Sequence, residues 1–122
     1  PTSPLRESQH VSDAIRMLIH GKWDAVWTVS ETDSKSHPLK QLIVNNNSLD
    51  YYDINGGRII ARQQLKPIYH RNGIAYAITR KCLLSKKSIK GDMTGALVIK
   101  GDHVSIDTER DLDLVESILS TR

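Results

Sequence analysis

Two helical patterns of apolar residues, one near each end of the chain, most restrict the folds that this sequence can form. The first predicts a helix over residues 9–20, with Ser8 or Ser12 as its N-cap and Gly21 at its end. The second predicts a helix that begins at Thr108. Their apolar positions are Val11, Ala14, Ile15 and Leu18 in the first helix, and Leu112, Val115, Ile118 and Leu119 in the second.

Short runs of β-branched, aromatic and alternating apolar residues predict strands between these two helices. The main strands are expected at residues 25–30, 74–79 and 96–99, with 25–30 in the centre of the sheet. The pair Asn72 and Gly73 predicts a turn before the second of them, and residues 82–84 predict a short helix or turn. Because strands alternate with helices, we expect an α/β fold.

Residues 37–66 predict a small hairpin-like excursion from the main sheet. Residues 41–44 and 49–54 are its expected strands, and the polar run 45–48 between them is a turn by composition. A two-stranded element of this size does not bury its own apolar face. We therefore expect it to lie on the rest of the domain or on a partner chain.

Composition bounds the class of protein. The chain has 122 residues, enough for one domain or part of one, with 39% hydrophobic and 25% charged residues. The net charge of +3 is too small to argue for nucleic acid. No apolar run approaches the roughly 20 residues needed to cross a bilayer. The single cysteine, Cys82, excludes an internal disulfide and fits a reducing cytoplasm.

The stretch from Ser105 to Asp111 joins an extended segment to the last helix. Thr108 and Asp111 have the spacing of a capping box, with Asp in place of the usual Glu or Gln. Asp107 lies at the junction, where a carboxylate can face a ligand. Two interpretations are open at this point: the stretch starts a helix and nothing more, or Asp107 also binds a ligand.

Five segments in a fixed order resemble the acylneuraminate cytidylyltransferase family, the CMP-sialic acid synthetases and their relatives. They are residues 1–6 (PTSPLR), 37–40 (HPLK), 62–65 (RQQL), 72–76 (NGIAY) and 105–109 (SIDTE). Each segment alone is common, but the order and the gaps together are specific. The resemblance runs nearly end to end. It implies part of a Rossmann-like nucleotidyltransferase three-layer sandwich, with the hairpin excursion serving dimerisation.

The family resemblance also implies a reaction. The anomeric hydroxyl of a nine-carbon (or related) 2-keto acid sugar attacks the α-phosphate of CTP, pyrophosphate leaves, and the CMP-sugar serves cell-surface polysaccharide biosynthesis. Mg²⁺ assists by offsetting the charge of the triphosphate. The implied partners are CTP, the acid sugar and a second copy of the chain, in the cytoplasm, with no nucleic acid and no membrane.

The resemblance assigns roles to individual residues. Asp107 matches the metal-binding aspartate of the family and is the candidate catalytic residue. Lys40 and Arg62 match basic residues of the excursion that reach toward anionic substrate groups in the neighbouring subunit. Tyr76 and Asn72 match the segment that lines the sugar pocket. Arg6, which ends the first segment, and His70, which lies close to Asn72, complete the implied substrate-binding set.

Three features depart from the family pattern. Ser105 stands where the family usually has a first aspartate, and a hydroxyl is a much weaker magnesium ligand than a carboxylate. His70 stands where sialic-acid enzymes often have an Arg, and imidazole cannot form a bidentate fork on a carboxylate. The half of the family domain that carries the glycine-containing nucleotide loop is not part of this sequence.

These features leave more than one function open. The first is the C-terminal portion of a cytidylyltransferase, whose isolated 122 residues we expect to be inactive. The second is a non-catalytic fragment or divergent relative that keeps only the dimerisation surface. A basic module that binds nucleic acid is the least supported of these functions, because no aromatic stacking platform accompanies the small positive charge.

Overall fold

The structure, a computed structural model, describes residues 2–58, 65–101 and 103–122. The described residues up to Ser30 and from Arg71 onward form one compact unit. Those from Glu31 to His70 form a second, smaller unit. Within the described ranges, no helix combines the length and the apolar character required to cross a membrane.

The elements confirm a mixed α/β fold, which is compatible with a nucleotidyltransferase-like architecture. The three α-helices are α1 (Ser8–His20), α2 (Arg80–Lys86) and α3 (Glu109–Ser120) within the described part of the chain. The strands found there are β1 (Ala25–Glu31), β2 (Leu42–Asn45), β3 (Ser48–Tyr51), β4 (Tyr69–Ile78) and β5 (Thr94–Val98).

The main sheet has the order β4-β1-β5, so the predicted central position of β1 is confirmed. β5 runs parallel to β1, with Ala25 opposite Thr94. β4 runs antiparallel to β1: the Thr79 N–H donates to the Asp24 carbonyl, while Thr28, further along β1, meets Ala75, earlier in β4. β1 supplies the centre of the core. The fully or almost fully buried apolar side chains include Leu5, Ala14, Ala25, Val26, Ile74 and Val115.

The helix starts follow local hydrogen bonding. At α3, the Thr108 hydroxyl accepts the Asp111 N–H at 3.2 Å and the Asp111 carboxylate accepts the Thr108 N–H at 3.1 Å. The predicted capping box is confirmed. At α1, the N-cap is Glu7, and the prediction of Ser8 or Ser12 was wrong. The Glu7 N–H donates to the His10 ring at 3.1 Å, so a histidine completes a cap that a serine was expected to make.

The predicted turn at Asn72 and Gly73 was wrong, because both residues lie inside β4. Gly73 has a φ of 71°, which glycine adopts without strain. The Ala75 N–H donates to the Thr28 hydroxyl at 2.9 Å instead of to a strand carbonyl. A positive-φ glycine beside a displaced ladder hydrogen bond is typical of a β-bulge. The chain therefore passes through this irregularity and continues as one strand.

The second unit contains the β2–β3 hairpin, in which Leu42 pairs with Tyr51. Asn46 and Asn47 have φ values of 49° and 66°, the left-handed pair that a tight hairpin turn requires. Every residue of both strands is exposed. The second strand is shorter than the predicted 49–54, because a 3-10 helix begins at Ile54. The excursion at residues 37–66 stays a prediction.

Thr28→Val tests the hydrogen bonds that hold the irregular part of β4. Valine keeps the shape of the side chain but leaves the Ala75 N–H and the Asn72 side-chain oxygen without this buried partner. Because two buried groups lose this partner, we expect a loss of about 2–3 kcal/mol in the free energy of unfolding, measured by chemical denaturation. Thr28→Ser keeps the hydroxyl and should cost about 1 kcal/mol for the lost methyl group. Equal losses in the two variants would show that the hydroxyl contributes nothing.

Candidate functional site

Three of the five family-like segments meet in the first unit. The Ile106 N–H donates to the Thr2 carbonyl at 2.9 Å, which joins the proline-rich segment to the stretch before α3. The Ser3 hydroxyl donates to the Gly73 carbonyl at 3.3 Å, which joins the same segment to β4. Residues that are far apart in sequence therefore lie side by side. This is the arrangement that a shared ligand site requires.

Arg6 fastens the proline-rich segment to β4. Its Nε donates to the Ile74 carbonyl at 2.6 Å, and its Nη2 donates to the Gly73 carbonyl at 3.2 Å. The bulge at Gly73 removes these carbonyls from the regular ladder, and the guanidinium supplies the missing donors. The residue is otherwise exposed, so it retains N–H groups that face solvent.

The Asn72 side chain is bound within the sheet. Its Oδ1 accepts the Thr28 hydroxyl at 2.7 Å and the Ile74 N–H at 3.1 Å. Its Nδ2 donates to the Ser30 hydroxyl at 2.9 Å. The bonds with Thr28 and Ser30 tie β4 to β1, and the bond from Ile74 lies within β4, so the geometry gives Asn72 a positioning role in the strand.

Asp107 presents a carboxylate from a rigid backbone. Its N–H donates to the Asp111 carboxylate at 3.0 Å, so the capping residue also holds the Asp107 main chain. The Asp107 side chain is exposed, and no donor in the described ranges is hydrogen-bonded to its carboxylate. The pKa of Asp111 is held below its ordinary value of 3.8. The hydrogen bond from the Asp107 N–H is the main cause, and the hydrogen bonds with Thr108 add a smaller effect.

The stretch around Asp107 offers one exposed carboxylate and one hydroxyl as oxygen ligands. Across residues 2–58, 65–101 and 103–122, no group of three or more His, Cys, Asp or Glu side chains could hold a metal ion. Mg²⁺ is often bound by one or two carboxylates and completed by water and substrate phosphates. Asp107 can supply one such carboxylate. Ser105, two residues earlier and half-buried, adds only a hydroxyl.

Tyr76 lies against an aromatic neighbour that the sequence did not reveal. Its ring meets Trp27 of β1 edge to face, with centroids 5.5 Å apart and planes at 84°. The Arg71 guanidinium carbon lies 5.7 Å from the centroid of the same Trp27 ring. Five positions separate Arg71 and Tyr76, so regular strand alternation predicts opposite faces. The sequence could have indicated this contact only if Asn72 and Gly73 had been interpreted as a bulge within a strand and not as a turn.

Two predicted site residues of the second unit, Lys40 and His70, are within the described ranges. Lys40 is exposed at the end of a short 3-10 helix, Pro38–Lys40. Buried His37 holds that turn, because its Nδ1 accepts the Leu39 N–H at 3.2 Å and its Nε2 meets the Lys66 carbonyl at 3.2 Å. His70 is exposed, with its Nδ1 2.9 Å from the Thr32 hydroxyl. Arg62 lies outside the described residues.

A cavity of about 390 Å³ lies within the second unit. None of the predicted site residues that the structure describes lines it. Asp33 contributes a carboxylate to its wall, and hydrogen bonds from the Ser36 side chain and backbone lower the pKa of that carboxyl. The lining residues are Glu31, Thr32, Asp33, Ser34, His37, Leu65, Lys66, Pro67 and Ile68.

The fold and the meeting of the segments are compatible with an α/β nucleotidyltransferase. Comparison of the sequence with known proteins identifies particular relatives. The chain is 27% identical over 111 residues to an N-acylneuraminate cytidylyltransferase of Streptococcus agalactiae serotype V. It is 28% identical over 111 residues to the proteins of the same name from serotypes III and Ia.

Each match covers 90% of this chain and 26% of the relative, so the chain spans about a quarter of the length of these proteins. No protein-family model matches the chain. The predicted resemblance is confirmed as a similarity to cytidylyltransferases that extends over nearly the whole sequence.

Acid titration tests the bond between Asp111 and the Asp107 main chain. Because folding lowers the pKa of Asp111, its stabilising contribution is complete above the unfolded value and is lost as pH falls through the folded value. The free energies of unfolding of wild type and Asp111→Asn should therefore differ at neutral pH, begin to approach each other below about pH 4, and converge only below the lowered pKa of the folded state.

Urea denaturation at a series of pH values gives this difference. Asp113→Asn removes the same charge from α3 and reports the effect of charge alone. A difference between wild type and Asp111→Asn that stays constant into strong acid would contradict the hydrogen bonds to this carboxylate.

Proposed function

We propose that this chain is the C-terminal portion of a cytidylyltransferase that transfers CMP from CTP to a sialic-acid-like 2-keto acid sugar. The similarity over 90% of the chain to proteins of that name carries the proposal. The anomeric oxygen of the sugar forms a bond to the α-phosphorus, the bond to the β-phosphate oxygen breaks, and pyrophosphate leaves. The hydroxyl proton goes to solvent.

Asp107 is the proposed metal ligand. Its main chain is held by Asp111, and its carboxylate makes no hydrogen bond within the described ranges. Mg²⁺, when bound, would offset the charge that develops on the leaving pyrophosphate. The task of this chain is to hold one carboxylate at a fixed place, and the capping box of α3 provides that rigidity.

The sugar would bind beside β4. Tyr76 is partly exposed there and offers a ring and a hydroxyl. Asn72 and Arg6 support this surface through their bonds to Thr28 and to the Gly73 and Ile74 carbonyls. We assign them positioning roles, since the Asn72 side chain is bonded to Thr28 and Ser30, and Arg6 is bonded to two carbonyls of β4.

We also propose a homodimer formed through the second unit. Its hairpin exposes apolar side chains that a two-stranded element cannot bury by itself. Ile54, just beyond the hairpin, is 93% exposed. The exposed apolar residues of the region are Leu42, Ile43, Val44, Leu49, Tyr51, Tyr52 and Ile54. In such a dimer, Lys40 and Arg62 of one subunit would act on anionic groups of the substrate in the other.

A second candidate is a non-catalytic relative that keeps the dimerisation surface alone. Two observations favour it: Ser105 occupies the first position of the metal motif, and the described residues contain no cluster with three metal-ligating side chains. In this candidate the exposed hairpin retains its role, while Asp107 acts only as part of a helix start.

Complementation between two inactive variants tests the reaction, the role of Asp107 and the dimer together. Pyrophosphate release would be measured with full-length protein, CTP, Mg²⁺ and a panel of 2-keto acid sugars. Asp107→Asn and Lys40→Ala should each remove most activity. Co-expressed, they should regain about a quarter of wild-type activity, since half of the dimers are mixed and each mixed dimer has one intact site.

The matched controls are Asp113→Asn and Lys35→Ala, which remove the same charges from the same regions and should remain active. Activity retained by Asp107→Asn would exclude it as the metal ligand. No recovery in the mixed dimers would place Lys40 at the site of its own subunit. No pyrophosphate with any sugar, beside a working positive control, would favour the non-catalytic candidate.

A further inference from the structure

Trp27, Arg71 and Tyr76 form a group of contacting side chains on the main sheet. The Tyr76 ring meets Trp27 edge to face at 5.5 Å, and the Arg71 guanidinium lies over the Trp27 ring at 5.7 Å. Arg71 is exposed and Tyr76 is 38% exposed, so the group is open to solvent. We call these three residues the Trp27 platform.

The bulge in β4 creates the platform. The irregularity at Gly73 interrupts the regular alternation of the strand, and Arg71 and Tyr76 both contact Trp27. The bonds from Asn72 and Ala75 to Thr28 maintain this register. The platform therefore depends on the same buried hydrogen bonds that tie β4 to β1.

A hydrogen bond holds the indole ring of the platform in place. The Trp27 Nε1–H donates to the Ile89 carbonyl at 3.0 Å, which fixes the rotation of the indole ring. The Arg71 guanidinium carbon, 5.7 Å from the centroid of this ring, is within the distance of a cation–π interaction. Within the described ranges, no carboxylate forms an ion pair with Arg71. A guanidinium in this position has N–H donors available for an incoming anion.

We propose that the Trp27 platform binds the acid sugar: Arg71 takes the carboxylate, and Trp27 and Tyr76 contact the apolar face of the ring. This inference rests on the proposed function. A planar fork of N–H donors suits a carboxylate better than imidazole does, so Arg71 supplies what His70 cannot. Apolar walls with a few fixed polar groups are the usual composition of a small-molecule site.

The geometry favours a sugar over a nucleobase. A base gains affinity by stacking on an open aromatic face. Here Arg71 covers one face of Trp27, and the edge of Tyr76 meets the ring at 84°. The two rings form a corner and not a parallel slot. A puckered sugar ring fits such a corner, with its carboxylate directed to the guanidinium.

Tryptophan fluorescence tests the platform without requiring turnover. The chain has two tryptophans, so Trp23→Phe leaves Trp27 as the only indole. An N-acylneuraminate titrated into this variant should change the Trp27 emission and saturate. The methyl ester of the same sugar, which lacks the carboxylate charge, should bind about tenfold more weakly. Titrations are made with and without CTP and Mg²⁺.

Arg71→Ala, in the same background, should weaken binding of the acid sugar about tenfold and remove the preference for acid over ester. Arg80→Ala is the matched control, since it removes an exposed arginine from α2, outside the platform. In full-length enzyme, Arg71→Ala should raise KM for the sugar and leave KM for CTP unchanged.

Three results would overturn the platform: an unchanged Trp27 emission, equal binding of acid and ester, or no effect of Arg71→Ala. A response to CTP alone would also overturn it, in favour of a base. These results also separate the platform from the proposed function. Pyrophosphate release with an unchanged KM for the sugar in Arg71→Ala would contradict the platform only. Saturable sugar binding without any pyrophosphate release would contradict the transferase reaction only.

Discussion

The Thr28 hydroxyl in the centre of the sheet is the group on which the rest of the site depends. It is fully buried, donates to the Asn72 side chain at 2.7 Å and accepts the Ala75 N–H at 2.9 Å. Buried polar groups without partners are costly, so this network strongly favours one path for β4. That path includes the bulge at Gly73, whose carbonyl accepts hydrogen bonds from the Ser3 hydroxyl and the Arg6 guanidinium. The proline-rich segment is in turn joined to the stretch before α3, because the Thr2 carbonyl accepts the Ile106 N–H.

The parts of the fold set by local interactions could be predicted from the sequence. The apolar spacing located α1 and α3 to within a residue or two, and the spacing of Thr108 and Asp111 gave the capping box. The β-branched run after Gly21 gave β1 and its central position. Each of these depends on residues close together in the chain, which is why periodicity and capping rules were sufficient.

The course of β4 could not be predicted in the same way. Asn72 and Gly73 favour a turn by local preference. They stay in the strand because the Asn72 side chain accepts the Thr28 hydroxyl and donates to the Ser30 hydroxyl, both more than forty residues away. The contact of Arg71 and Tyr76 with Trp27 follows from that bulge and was missed with it. The position of Asp107 beside the capping box of α3 could be predicted from the spacing of Thr108 and Asp111. The role of that carboxylate remains part of the proposal.

The central claim is that the acid sugar binds in the first unit, on the Trp27 platform of the main sheet. Nuclear magnetic resonance of the isotope-labelled chain, titrated with an N-acylneuraminate, tests it most directly. The account predicts saturable shifts at the Trp27 indole N–H, the Arg71 guanidinium and the Tyr76 amide, with smaller shifts at Arg6 and Gly73. Shifts confined to the residues that line the cavity of the second unit, with the Trp27 and Arg71 signals unmoved, would contradict it.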